Sequence, residues 1–142
     1  PLGRASDIKV ITNMLAFIHL VSCGEALVLA ERAGLDLRQA WEVIAASSGT
    51  SFVHETEGQL VLNGSYQIDF TFDLALKDLG FIDQMSREYD VPVELASLVR
   101  QTYIRGRAEY GGDAESPMIV KLLEDACKTD LRAPGFPAHL EP

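Results

Sequence analysis

The sequence predicts an all-α helical bundle built on one long buried N-terminal helix. Three observations lead there: apolar residues recur at spacings of three and four over long windows, alternating β-branched runs are missing, and glycine or proline punctuates the periodic stretches. At 142 residues, with 47% hydrophobic and 23% charged side chains, the chain has the size and composition of one globular domain able to bury a core.

The first helix is predicted to open near Ser6 or Asp7, either of which can cap it, and to run to Ala33, where Gly34 supplies a left-handed stop. That is roughly 27 residues, or about 40 Å. From Met14 onward it is apolar on most sides and so is expected to run through the middle of the bundle. A second helix fits Asp36 or Leu37 to about Ala46, with Leu37, Ala40, Val43 and Ile44 on one face, and Ser47–Ser51 then breaks it. A short helix is predicted from Phe52 to Leu62, ending before Asn63-Gly64. The segment Tyr66–Phe72 reads as extended or irregular. Thr71 or Asp73 opens the next helix, to about Tyr89, with Ala75, Leu79, Ile82 and Met85 inward. Pro92 suits the first turn of a helix to Tyr110, whose Val93, Leu95, Leu98, Val99 and Tyr103 supply core. Ser116 as cap and Pro117 at the first position predict a last helix burying Met118, Ile119, Leu122, Leu123 and Ala126. The tail from Thr129 carries three prolines and one glycine and reads as an arm or disordered end.

A net charge of -9 without any cluster of Lys and Arg argues against nucleic acid as a partner and against an anionic membrane surface. The apolar stretch Met14–Ala30 contains His19 and Glu25, which favours a buried soluble helix over a membrane span. Cys23 and Cys127 sit in helical patterns with no CxxC pair, and read as free thiols in a reducing cytoplasm. The start PLGRASDIKV lacks the features of a signal peptide, and the absence of an initial Met suggests a processed or excised piece of a longer protein.

There is no GxGxxG, Walker loop, GxSxG or EF-hand spacing, so the chain has no phosphate-cradling loop of the usual kind. His54-Glu55 begins like HExxH, but Gly58 occupies the second histidine's place, and no metal site is predicted. Two clusters stand out. In Gly3–Asn13, Lys9 and Asn13 lie four apart on a helix and so point together, with Thr12 on the same strip. A solvated lysine beside a surface asparagine is the plain alternative. The flanking Ile8, Val10 and Ile11 favour a partly apolar setting for Lys9, which would lower its proton affinity toward the range useful for proton transfer. In Phe70–Leu79, the pair Lys77-Asp78 interrupts a strongly apolar helix, which by itself reads as a salt-bridged structural pair.

Taken together, these motifs resemble the C-terminal domain of 3-hydroxyisobutyrate dehydrogenase and its β-hydroxyacid dehydrogenase relatives, from Gly3 to about Lys128. In that family GxGxxxKxxNN opens the long interdomain helix, followed by an AEA stretch, a GLD turn, an SSGxS segment and FxxxLxxKDL. Here they stand as Gly3–Asn13, Gly24-Glu25-Ala26, Gly34-Leu35-Asp36, Ser47–Ser51 and Phe72–Leu79. The departures are Ala5 for the second glycine, Thr12 for the first asparagine and Gly24 for the alanine before Glu25.

The resemblance implies a helical domain, residues 1–128, like the C-terminal domain of 6-phosphogluconate dehydrogenase, followed by a Pro-rich tail, residues 129–142. It implies a dinucleotide-binding domain outside this chain that holds most of the NAD or NADP. Lys9 would be the catalytic lysine, Asn13 and Thr12 would contact substrate, and Lys77 would close over the cofactor, with Asp78 orienting that helix. The retained Lys9 favours a small 3-hydroxy acid or its semialdehyde as substrate over the imines of relatives that replace this lysine. A homo-oligomer through the helical domain and an inactive isolated fragment are further implications. The alternatives are a non-enzymatic helical dimerisation module and the related 6-phosphogluconate dehydrogenase type.

Overall fold

A computed structural model describes residues 2–142. Seven α-helices run in order: α1 (Leu2–Arg32), α2 (Leu37–Ala45), α3 (Phe52–Glu55), α4 (Glu57–Asn63), α5 (Phe72–Tyr89), α6 (Glu94–Tyr110) and α7 (Ile119–Cys127), with a 3₁₀ turn at Ser116–Met118. Among the described residues the one β-type pairing is an isolated antiparallel bridge between Thr71 and Glu115. The all-α reading therefore holds.

Helix α1 begins at Leu2, so Ser6 and Asp7 lie inside it and do not cap it. Nothing in Gly3-Arg4-Ala5 breaks a helix strongly enough to force a later start. Its end is as expected: Gly34 adopts φ +80°, and Leu35 N–H bonds back to Ala30 C=O. By length and composition alone α1 could cross a bilayer. In the fold its inner stripe (Val10, Phe17, Leu20, Cys23, Leu27 and Val28) is buried, and helices α2 to α7 all pack on it. It is central but not enclosed, because Ile8, Leu15, Ser22 and Leu29, spaced by sevens, remain exposed.

Asp36 caps α2, accepting from Gln39 N–H at 2.8 Å. The expected single helix from Phe52 is two, broken at Thr56, whose φ -111° and ψ -81° are not helical. Thr71 caps α5. Pro92 precedes α6 rather than opening it, and that helix buries Ala96, Val99, Tyr103 and Gly106 while Leu95 and Leu98 face outward. Ser116 and Pro117 form the 3₁₀ turn instead of capping α7, and Ser116 N–H is bonded to Phe70 C=O at 2.7 Å. Helix α7 buries Ile119, Val120 and Glu124, with Leu122 and Leu123 half-buried and Ala126 exposed.

The tail from Thr129 is not a free arm. Leu131 is fully buried, Phe136 packs edge-on against Trp41 at 5.2 Å, and Ala133 N–H bonds to Leu62 C=O. Its anchor is charged. Glu124, fully buried, accepts from Tyr66 Oη at 2.6 Å, from Leu131 N–H and from Arg132. A buried carboxylate is tolerated only when paired and hydrogen-bonded, and three donors meet that need.

Candidate active site

Helices α1 and α5 cross so that the two sequence clusters meet. Asn13 Nδ2 donates to Asp78 Oδ2 at 2.7 Å, in a half-buried setting. A carboxylate only accepts, so it fixes which end of the carboxamide faces it. Asn13 lines a cavity, and its amide oxygen and second N–H make no other hydrogen bond among the described residues. The sequence marked Asp78 as the residue orienting its helix, and it is buried, joining α5 to the functional strip of α1. No salt bridge between Lys77 and Asp78 forms: Lys77 is exposed on the outer side of α5.

Lys9 lies one turn before Asn13 and is exposed. The apolar setting expected for it is absent among the described residues, because Val10 turns inward while Ile8 is itself 57% exposed. Thr12 is exposed too, and its hydroxyl donates to Lys9 C=O at 2.8 Å, leaving the oxygen's lone pairs available. Lys9 and Lys77 make no ion pair among the described residues, so both ammonium groups are available to an anionic ligand.

Beside Asn13 opens a cavity of about 680 Å³. Ala16 and Phe17 continue the α1 wall, Ile68 and Phe70 supply an apolar floor, Phe52 and Glu57 come from α3 and α4, and Pro137, His139, Leu140 and Glu141 come from the tail. Burial pushes the Glu57 carboxyl up to about 7. Sequence reading missed Glu57 and the tail residues. Glu57 stands in an unremarkable polar stretch, and the tail's compositional signal is that of disorder.

Behind this wall, His54 is buried, bonded through Nε2 to Trp41 C=O at 2.9 Å and facing Cys23 Sγ through Nδ1 at 3.5 Å. The carbonyl takes the Nε2 proton, so Nδ1 is the acceptor and the thiol donates to it. Burial, with Glu57 nearby, pushes the Cys23 thiol up to about 12, so it stays protonated and serves packing. The histidine of the incomplete HExxH pattern is thus a core hydrogen-bonding group. Gly58, in the second histidine's place, is buried against Trp41, whose Nε1 would stand in ordinary contact, 3.4 Å, with a Cβ there.

The long helix α1 thus carries lysine and asparagine one turn apart, and Asp78 of α5 braces the asparagine. The chain belongs to the 3-hydroxyisobutyrate dehydrogenase family: residues 3–123 match the family described as NAD-binding of NADP-dependent 3-hydroxyisobutyrate dehydrogenase. It is 30% identical over 118 residues to L-threonate dehydrogenase of Cupriavidus necator, covering 82% of this chain and 40% of that protein. It is 30% identical over 123 residues to 2-(hydroxymethyl)glutarate dehydrogenase of Eubacterium barkeri, covering 86% and 41%. The crystal structure of 3-hydroxyisobutyrate dehydrogenase from Salmonella typhimurium superposes with a TM-score of 0.76 at 28% identity, over 82% of this chain and 41% of that one. The chain therefore spans about two fifths of the length of these relatives.

Proposed function

We propose that this chain is the helical part of an NAD(P)-dependent dehydrogenase that oxidises a small 3-hydroxy acid, or reduces the matching semialdehyde. The observation that carries the reading is the Asn13–Asp78 hydrogen bond, which joins the amide of one sequence motif to the carboxylate of the other. The relatives' names supply the substrate class, a small hydroxy acid.

In the oxidative direction the neutral amine of Lys9 takes the proton from the substrate hydroxyl as the carbon gives up its hydride; in the reverse direction the ammonium returns that proton to the carbonyl oxygen and steadies the negative charge that grows there. Asn13, bonding through its free oxygen and second N–H, orients the same hydroxyl-bearing carbon. Thr12, exposed beside Asn13 in sequence, offers a further acceptor. Exposed Lys77 suits a phosphate of the dinucleotide, but among the described residues no glycine-rich loop cradles a pyrophosphate. When bound, the nicotinamide accepts the hydride, and most of its binding site belongs to a dinucleotide domain outside these residues. Lys9 sits open in this chain, and docking of that domain would give it the dry setting proton transfer favours.

On the same reading the isolated chain is inactive. The complete protein works in the cytoplasm as a homo-oligomer joined through its helical parts, and free thiols Cys23 and Cys127 fit a reducing compartment. The test is Lys9→Met in the complete protein, assayed on plain and phosphorylated hydroxy acids with NAD and NADP. Turnover is expected to fall about 10²–10⁴-fold with circular dichroism and Tm unchanged. Full turnover by the variant, or measurable turnover by the isolated chain, overturns the assignment. Preference for a phosphorylated sugar acid moves it to the 6-phosphogluconate dehydrogenase type.

A further inference from the structure

The cavity beside Asn13 is closed on its far side by residues outside the family match, which ends at residue 123. The tail reaches that position on fixed supports. Arg38 donates to Pro134 C=O at 3.0 Å, Asn63 Nδ2 donates to Phe136 C=O at 3.0 Å, and the Phe136 ring is held between Trp41 and the Arg38 guanidinium. Residues 137–141 therefore follow directly from an anchored point and form a wall.

The wall's chemistry is one-sided. Glu57 and Glu141 line the cavity, and no lysine or arginine does; His139 is the one side chain there that can gain a positive charge. The remaining contacts are apolar or neutral: Phe17, Phe52, Ile68, Phe70 and Leu140, with Asn13, Thr56, Gln59 and Ser116. With the reacting carbon held at Asn13, as the dehydrogenase reading has it, the rest of the substrate extends into the cavity that Glu57 and Glu141 also line. A second carboxylate placed there meets no lysine or arginine of this chain's lining, and faces the Glu141 charge together with that of Glu57 once its carboxyl, raised by burial to about 7, is ionised. An uncharged chain, alkyl or hydroxylated, meets apolar surface and neutral hydrogen-bonding groups instead.

We propose that Glu57 and the tail segment Pro137–Glu141 form the selecting wall of the substrate pocket, admitting hydroxy acids with one carboxylate and an uncharged remote end and rejecting dicarboxylates. This rests on the dehydrogenase reading above. It gives the tail a role in specificity.

The test uses the complete protein at pH 8, where the Glu57 carboxyl is ionised, with L-threonate and 3-hydroxyisobutyrate as monocarboxylates and 2-(hydroxymethyl)glutarate as the dicarboxylate. The wild type is expected to favour the better monocarboxylate at least about tenfold in kcat/KM. In the double variant Glu57→Gln/Glu141→Gln the dicarboxylate-to-monocarboxylate ratio rises about tenfold, carried by KM for the dicarboxylate. Glu57→Asp/Glu141→Asp keeps the discrimination. A chain stopped after Phe136 loses it, and if that variant fails to fold, the point variants still decide. Equal or better use of the dicarboxylate by the wild type, or a ratio unmoved in the glutamine variant, overturns the selecting wall while leaving the dehydrogenase reading in place. Failure to turn over any hydroxy acid removes both.

Discussion

At Asn13 and Glu57 the same half-buried cavity sets two opposite demands on polar groups. Asn13 is satisfied: its amide is bonded to Asp78 and keeps capacity for a ligand. Glu57 is not. Burial raises its carboxyl from 4.5 to about 7. Between those values the folded state holds a proton that the unfolded chain has released, so stability falls as pH rises through this window, and the full penalty applies above pH 7. The shift corresponds to about 3 kcal/mol at most, and screening by solvent at the cavity mouth brings the expected value to about 1–2 kcal/mol. Urea unfolding between pH 5 and 8 should show Glu57→Gln gaining that much over wild type at pH 8, with little difference at pH 5. Parallel pH curves for the two proteins would show the carboxyl to be freely hydrated. Helical spacing made the strip of Lys9 and Asn13 visible, but spacing alone favoured a solvated lysine beside a surface asparagine; the roles expected of them and of Asp78 came from the family resemblance. Glu57 was not legible, since a glutamate in a polar turn carries no sign of what will fold over it.

At the scale of elements, close packing explains a departure from the family pattern. Gly24 stands where the family carries alanine, and a Cβ there would approach the Val120 methyls at 2.9 and 3.0 Å. Glycine lets α1 and α7 sit against one another at this point, and β-branched Val120 has one stiff side-chain torsion with which to yield. Gly24→Ala gains up to about 1 kcal/mol in helix propensity but loses about 1–3 kcal/mol to overpacking, for a net loss. Thermal unfolding of Gly24→Ala, Val120→Ala and the double variant forms a cycle in which the second change should rescue the first. Additive losses would place the strain elsewhere. Helix existence and order were readable from periodicity and from glycine and proline punctuation, and α2 even kept its predicted cap. The misreadings share a cause: Leu95, Leu98 and Ala126 fit an apolar helical stripe, yet neighbouring helices cover the adjacent stripe of Ala96, Val99, Val120 and Glu124. Local pattern gives a helix its apolar faces, and tertiary packing chooses among them. The tail was misread for the same reason, since its anchors on Leu62, Arg38, Trp41 and Glu124 are distant in sequence.

For the whole molecule, the leftover apolar surface is the informative quantity. Leu95 and Leu98 on α6 are 58% and 65% exposed and border a groove shared with Ser22 of α1 and Leu122 and Leu123 of α7. Ile8, Leu15 and Leu29 expose a second apolar row along α1. Large apolar side chains gathered on one groove mark an interaction surface more often than a solvated one. The occupant we expect is a second copy of the chain, because a helix row at heptad spacing and an apolar groove are self-complementary features of the kind a two-fold interface uses. A stable pair needs roughly 1,200–2,000 Å² of buried surface in total, which the long helix and the α6–α7 groove together must provide. Sedimentation equilibrium of the chain should therefore give twice the monomer mass at micromolar concentration. Leu95→Glu/Leu98→Glu should shift it to monomer with its circular dichroism unchanged, since neither side chain belongs to the core. A wild type that stays monomeric at high concentration would leave this surface to another part of the complete protein, and dissociation without effect from the glutamates would move the interface to the α1 row.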